Sequence, residues 1–514
     1  MSTAEQVTPN APPLTIRELE IGALGGTVSA ALMAGAQYLT CAASDERVAG
    51  GRFRVDHVFR FPGQPGLDVL RVHLPAERPE YPSLTPLLPA VHWDEREALD
   101  LFGITPLGHP DPRRLVLPDD WPSGLHPLRK DVPWNVHPPR AAVPGWAPRV
   151  AHGEGVVLMP VGPVHAGIIE SGHFAFSLMG ESILHLDVRL FQKHRGVEKM
   201  LEGRSWADVG DLVERTCAAC SASHQAAWCE AVEQVLDWEL PVRGVYLRTV
   251  LLECERLYNH LNDIAAIPAG TGFAVAAMEG AELKERMLRL QGEVFGHRYL
   301  FGTSRPGGVT RDLPPGDIPE LRRHLGNLRV RLGRLAQRML RHPGFTDRLG
   351  GAGVLPRRIA EELGAVGPSA RASGICRDLR VDRPYLAYRA LAPLVVTEEA
   401  GDVAARLRLR FREADVSFEL LDRLLHGMPS GPFRSEAPLG AGQAEGLGIG
   451  CNESPRGTNA HYVHLRGGRI VRYRIRSASF ANWPLLIEAA PGNLIGDFPL
   501  INKSFELCYA CCDR

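Results

Sequence analysis

The sequence predicts an α+β fold class: a small N-terminal α+β domain followed by a mainly helical domain with a small β region. Three observations carry this. FRVDHVFRF and LDVLRVHL alternate apolar and polar residues with the period of two strands in a half-buried antiparallel sheet, and they follow an Ala-rich helical segment. LVERTCAACSASHQAAWCEAVEQVL, GVYLRTVLLECERLYNHLNDI and AAMEGAELKERMLRLQGEVF carry apolar residues three and four apart, as core helices of a bundle do. Between the two regions the proline run PWNVHPPRAAVPGWAPRV interrupts regular structure.

Those signals set the boundaries. Residues 1–13 are expected to be disordered, 14–140 to form the α+β domain, 141–150 a proline-rich linker, and 151–514 the second domain, which opens with a β-like region over 156–190. A chain of 514 residues exceeds what one core usually serves. Residues 21–44 are uncharged up to Ser44 but rich in Gly, Ala, Thr and Ser. They lack the Leu, Ile and Phe density of a membrane span, so they read as a helix running into a strand. Any membrane association is therefore expected to come through partners.

A hydrophobic fraction of 45%, a charged fraction of 23% and a net charge of −1 describe an ordinary soluble globular protein, with no basic excess to suggest nucleic acid as a partner. Ten cysteines without a secretory leader point to a reducing, cytoplasmic setting where thiols stay free.

Four of those thiols form a pattern. In ERTCAACSASH, Cys217 and Cys220 stand near the start of the first long helix, one turn apart, so that both sulfurs face one side. Cys508 and Cys511 repeat the spacing in SFELCYACCDR at the other end of the domain. Four thiolates suit zinc, an iron–sulfur cluster or another thiophilic metal, and spacing alone leaves these open beside plain buried thiols. Zinc ribbons usually join their pairs over a loop of roughly 15 to 20 residues. Pairs at opposite ends of a domain better suit a cofactor installed in a nearly finished protein. Cys41, Cys229, Cys254, Cys376 and Cys451 show no pairing and read as buried structural thiols.

The residues around the pairs narrow the choice. RTCAACSASH, SFELCYACCDR, ESPRGTNAHY and HRGVEKMLEGR together resemble the large subunit of the nickel-iron hydrogenases. PVGPVHAGIIESGHFAF, SRPGGVTRD and GPSARASGICRDLRVDRPY resemble its membrane-associated, energy-converting (group 4) branch, the formate hydrogenlyase type, which is related to the 49 kDa subunit of respiratory complex I. YPSLTPLLPAVHWDEREALDLFGI, followed by HPDPRRL and HPLRKD, resembles the smaller, 30 kDa complex I subunit that this type carries fused at its N-terminus. The resemblance covers nearly the whole chain.

The resemblance implies a nickel-iron binuclear centre with carbonyl and cyanide ligands on iron. Cys217 and Cys508 would be terminal nickel ligands, and Cys220 and Cys511 would bridge to iron. Glu198 would relay protons, Arg456 would lean over the site toward the cyanides, and His224 would donate to a thiolate from behind. His165, Glu170 and His173 fall in the loop that lines the quinone cavity of the complex I relatives, and a structural or proton-path role is expected for them here. The implied function is the interconversion of dihydrogen with protons and electrons. The alternative is a complex I-like electron-transfer and coupling subunit, without nickel chemistry, that acts through quinone or conformational coupling.

Beyond the four cysteines the chain has no set able to hold an electron-relay cluster, so iron–sulfur clusters are expected only in a small partner subunit. Membrane ion-translocating subunits, with formate dehydrogenase or ferredoxin as electron partner, complete the implied assembly, which would sit peripherally on the inner face of the cell membrane. The sequence departs from the family pattern at Ala218, where glycine is usual, at Glu506 and Leu507, where Asp-Pro is usual, and at Cys512, where threonine is usual.

Overall fold

The computed structural model describes residues 13–142, 145–165 and 169–514. Residues 1–12 of the segment expected to be disordered, and residues 143–144 of the linker, lie outside the described residues.

The N-terminal region contains β1 (Leu14–Leu19), α1 (Leu24–Met33), β2 (Gln37–Glu46), β3 (Arg52–Arg60), β4 (Leu67–Pro75) and α2 (His92–Phe102). The sheet order is β1-β4-β3-β2, with β1 parallel to β4 and the other pairs antiparallel. The sheet is thus mixed rather than antiparallel throughout, and its strand β3 is not half-buried: every residue after Arg52 is buried. The alternation along β3 is real, but its polar positions meet protein instead of water. Arg54 Nη2 donates to Tyr462 Oη at 2.9 Å, Tyr462 Oη donates to Asp56 Oδ2 at 2.8 Å, and Arg71 clamps both oxygens of Asp56 at 2.8 Å.

The second region opens with the antiparallel sheet β5 (Val156–Val161), β6 (His173–Met179) and β7 (Ser182–Arg189). A bundle follows, made of α3 (Ser221–Val235), α4 (Val242–Ala269), α5 (Ala274–Phe295), α6 (Ile318–Leu340) and α7 (Val403–His426). α4 is buried around almost its whole circumference, so its polar residues must find partners inside the protein. Two of them do so across the α4–α7 seam, where Arg410 Nε donates to Asp263 Oδ2 at 3.0 Å and His260 Nε2 lies 3.1 Å from Glu413 Oε2.

The chain then forms an antiparallel sheet that the sequence reading did not anticipate: β8 (Gly446–Ser454), β9 (Gly457–Arg466) and β10 (Arg469–Arg476). α3 lies directly on β8. A Cβ at Gly448 or Gly450 would fall 1.9 Å from the carbonyl oxygen of Ala231 or Ala227, so these two positions admit only glycine. Three helices close the chain: α8 (Ala478–Ala489), α9 (Phe498–Phe505) and α10 (Tyr509–Asp513).

One apolar core runs through both regions, and a buried ionic seam joins them. α2 contributes Asp94 and Glu97. Arg474 donates to Asp94 Oδ1 at 2.8 Å and to Glu97 Oε1 at 2.6 Å, while Arg514 donates to Glu97 Oε2 at 2.5 Å. Among the described residues no helix is long and apolar enough to cross a membrane.

Candidate metal centre

The first cysteine pair is not on the helix, as its spacing suggested. Cys217 is extended, Ala218–Cys220 form a single 3-10 turn, and α3 begins only at Ser221. The turn is fixed from outside by α4. Tyr258 Oη donates to Ala219 O at 2.8 Å, Asn259 Nδ2 donates to the same oxygen at 2.7 Å, and Glu255 accepts the N–H groups of Ala222 and Ser223 at 2.6 and 3.1 Å. Glu255 thereby satisfies the first free donors of α3, as a cap does.

The second pair uses a different local device. Cys508 is the extended residue that caps α10, and its sulfur accepts the N–H of Cys511 at 3.3 Å. Its own N–H donates to Ser479 Oγ at 3.0 Å, and Ser477 Oγ donates to Cys511 O at 2.9 Å.

The two devices meet. The sulfurs of Cys217, Cys220 and Cys511 lie within 4.8 Å of one another, and Cys508 Sγ is 3.1 Å from Cys217 Sγ. A tetrahedral ion with metal–sulfur bonds of ~2.3 Å would hold its sulfurs ~3.7 Å apart, inside that range. The charge state fits as well. The hydrogen bond to Cys217 pulls Cys220 down to about 6 and pushes Cys508 up to about 12, while burial pushes Cys511 well up. Four sulfurs this close cannot all ionise without a cation between them, and a bound metal removes that obstacle. A narrow crevice beside Cys220 and Cys511 is lined by His224, Arg456, Ser477 and Ser479, a set of donors suited to small anionic ligands. The residues present therefore fit a nickel-iron centre.

Arg456 sits in the tight turn between β8 and β9 and is buried. Its guanidinium is held by Glu506 O, Asn259 Oδ1 and, at 3.4 Å, Asp263 Oδ1. Burial, with Asp263 next in effect, pushes the Glu506 carboxyl up to about 7. His224 Nε2 lies 3.5 Å from Cys511 Sγ, and burial pulls this imidazole down to about 3, so it is neutral.

Glu198 is buried among arginines. Its carboxylate accepts from Arg472 at 2.8 Å, Arg474 at 3.2 Å, the N–H of Ile475 at 3.0 Å and, at 2.9 Å, Arg514, the last residue of the terminal cysteine segment. Three guanidinium groups enclose this carboxylate and anchor it. A second carboxylate at the terminal segment is Glu170, whose Oε2 accepts the N–H of Ala510, between the two terminal cysteines, at 2.9 Å. Burial, and then the neighbouring Cys508, raises its carboxyl. His165 turns to Gly172 O at 2.7 Å, and His173 packs against Trp146, so neither approaches the thiols.

Sequence reasoning passed over Arg195. Its Nη2 donates to Thr216 O at 2.8 Å and to Ala510 O at 3.0 Å, and its N–H donates to Arg514 O at 2.7 Å. One guanidinium thus ties the two cysteine segments together. Of the unpaired cysteines, Cys41, Cys229, Cys254 and Cys451 are buried as expected, whereas Cys376 is exposed.

Comparison with known proteins agrees with this geometry. Residues 27–138 match the 30 Kd subunit family of respiratory-chain NADH dehydrogenase, 271–444 and 437–514 match its 49 Kd subunit family, and 195–263 match the nickel-dependent hydrogenases. The chain is 36% identical to formate hydrogenlyase subunit 5 of Escherichia coli (strain K12), over 92% of this chain and 84% of that one. It is 34% identical to hydrogenase-4 component G of the same organism, over 92% and 82%. With the membrane-bound hydrogenase subunit alpha of Pyrococcus furiosus it shares 32% identity, over 70% and 87%. A solved chain of the archaeal membrane-bound sulfane sulfur reductase superposes with a TM-score of 0.66 at 28% identity, covering 70% of this chain and 99% of that one. The chain belongs to the nickel-iron hydrogenase large subunits of the formate hydrogenlyase type, with a complex I 30 kDa-like region fused at its N-terminus, and is an oxidoreductase of that family.

Proposed function

We propose that this chain is the catalytic large subunit of a membrane-associated hydrogenase complex, interconverting dihydrogen with protons and electrons at the four-cysteine site. The observation that carries this is the convergence of Cys217, Cys220, Cys508 and Cys511 on one buried point. Cys217 and Cys508 would hold nickel terminally, and Cys220 and Cys511, which flank the crevice, would bridge to an iron with carbonyl and cyanide ligands. When bound, such a centre supplies the polarisation and heterolytic splitting of dihydrogen.

The chain's own residues supply the rest. Arg456, with its guanidinium fixed by Asn259 and Asp263, presents positive charge over the crevice and stabilises anionic ligands there. His224 donates to a bridging sulfur. Glu170, beside the terminal segment and with its carboxyl raised by burial, takes and returns the proton. Glu198 keeps the terminal segment in place through Arg514.

Electrons leave through a partner, because the remaining cysteines are scattered. β5 is an edge strand whose Val157 and Leu158 are 62% and 46% exposed, and the chain following it leads to Glu170 at the metal site. This apolar edge suits docking of an iron–sulfur subunit. That subunit would link the chain to membrane ion-translocating subunits on the inner face of the membrane, with formate dehydrogenase or ferredoxin as electron partner. The two-region division at residues 14–140 and 151–514 is proposed to reflect two ancestral subunits.

Metal analysis of the purified complex tests this reading together with dihydrogen-dependent dye reduction. Nickel with iron and activity are expected. Zinc in the four-thiol site would leave a scaffold, and a metal-free site would leave the quinone-coupled alternative.

A further inference from the structure

A buried chain of polar groups starts at Cys511 and leads away from the residues used above. His224 Nε2 lies 3.5 Å from Cys511 Sγ, His224 Nδ1 lies 2.9 Å from His461 Nε2, and His461 Nδ1 lies 2.7 Å from Tyr473 Oη. The three side chains come from α3, β9 and β10, and none of the residues is more than 1% exposed. Water therefore cannot replace a missing partner.

The direction of the chain follows from its two ends. A neutral imidazole has one N–H and one lone pair, and a phenol has one hydrogen to donate. Among the described residues Tyr473 Oη has one hydrogen-bond partner, His461 Nδ1. If the phenol accepted there, its own hydrogen would be orphaned in the core at a cost of about 1–3 kcal/mol. It donates, so His461 carries its proton on Nε2 and donates to His224 Nδ1. His224 then carries its proton on Nε2, facing the sulfur. The other end agrees, because a metal-bound thiolate can only accept.

We propose that His461 and Tyr473 are positioning residues for the metal centre: they lock His224 in the Nε2–H tautomer, so that the bridging thiolate of Cys511 is oriented by a hydrogen bond. The inference rests on the nickel reading given above. A hydrogen bond to a ligating sulfur draws electron density from it, so the bond sets both metal retention and redox potential.

The test uses the full-length chain in its complex. His461→Leu and Tyr473→Phe are expected to release nickel to a chelator roughly 10- to 100-fold faster than wild type, with Tyr473→Phe toward the lower end, and to lower the midpoint potential of the nickel couple. His461→Gln should stay near wild type, because its amide N–H can face His224 and its oxygen can face Tyr473. Nitrogen-15 shifts of wild-type His224 should report protonated Nε2. Wild-type nickel release by Tyr473→Phe overturns the inference, as does failure of His461→Gln to rescue, or a proton on His224 Nδ1. Should His461→Leu not fold, Tyr473→Phe decides alone, since it removes one oxygen and keeps the ring. A wild-type complex without nickel sinks the metal reading and this inference together, whereas nickel in the wild type with unaffected variants sinks this inference only.

Discussion

The two cysteine pairs reach the same point by opposite routes. Cys217 and Cys220 sit on a turn gripped by Glu255, Tyr258 and Asn259, all from α4, the most deeply buried helix of the bundle. Cys508 and Cys511 sit at the end of the chain, where fraying is the default, and are held by scattered polar contacts from Glu170, Arg195, Ser477 and Ser479. Beyond them Arg514 is tied to Glu198 and, from the N-terminal region, to Glu97. One half of the site is built by core packing and the other is held by long-range hydrogen bonds.

The sharpest way to break this comparison is to remove a ligand from the terminal half. Cys511→Ser should abolish both nickel retention and hydrogenase activity, because a hydroxyl is a harder and far less acidic ligand than a thiol. Metal analysis reads the first effect and dye reduction the second. Nickel retained by the serine variant would mean that Cys511 is not a ligand.

Next in size is the contrast between the two glutamates. Glu170→Gln should keep both metals and slow proton exchange by a factor on the order of 100 or more, since an amide keeps the shape but relays no proton. Glu198→Gln should leave exchange per bound nickel unchanged and lower the melting temperature, at a cost on the order of 3 kcal/mol for unbalancing three buried guanidinium groups. Hydrogen–deuterium exchange with dihydrogen, normalised to nickel, separates the two variants. The reverse pattern would return the relay to Glu198.

That contrast also marks how far the sequence could be read. Both cysteine pairs, the three long helices and strands β2 to β4 were legible, because each rests on a local pattern or on a motif. The β8–β10 sheet was not, since GLGIGCNES looks like a loop until α3 is laid on Gly448 and Gly450. The partners of Glu198 and Glu170 were hidden for a related reason. Each lies in a motif-bearing segment, and only tertiary approach sets Glu198 among arginines and Glu170 against the Ala510 N–H. Arg195 lies in HRGVEKMLEGR, but its role was not legible, since a bridge from Thr216 to Ala510 exists only after folding.

A smaller effect probes the rigid half through pH. Burial raises the Glu255 carboxyl from 4.5 to about 7 in the folded protein, so the fold binds this proton more tightly than the unfolded chain. The stability it confers is fully present below about pH 4.5 and declines as the pH rises toward 7, by up to about 3 kcal/mol. Glu97, which burial also raises to about 7, acts in the same direction, so the informative quantity is a difference. Glu255→Gln cannot ionise, and its melting temperature should fall less between pH 5 and pH 8 than that of wild type. Equal slopes for the two proteins would show that Glu255 keeps an ordinary affinity for its proton.

The smallest effect is expected one residue beyond the most damaging substitution. Cys512 neighbours Cys511 in sequence, yet its side chain belongs to the main apolar core, while Cys217, Cys220 and Cys511 form a separate group. It is fully buried within that core, away from the group formed by the other three thiols. Cys512→Thr keeps nearly the same volume. The new hydroxyl lies on α10 four residues after Cys508, whose carbonyl already accepts the Cys512 N–H at 3.3 Å and has a second lone pair for a back-bond. Nickel content and dihydrogen-dependent dye reduction should therefore stay close to wild type, with a stability change of about 1 kcal/mol or less. If Cys512→Thr loses nickel while Cys511→Ser keeps it, the ligand set is shifted by one residue, and the terminal half of the site is built on the other thiol.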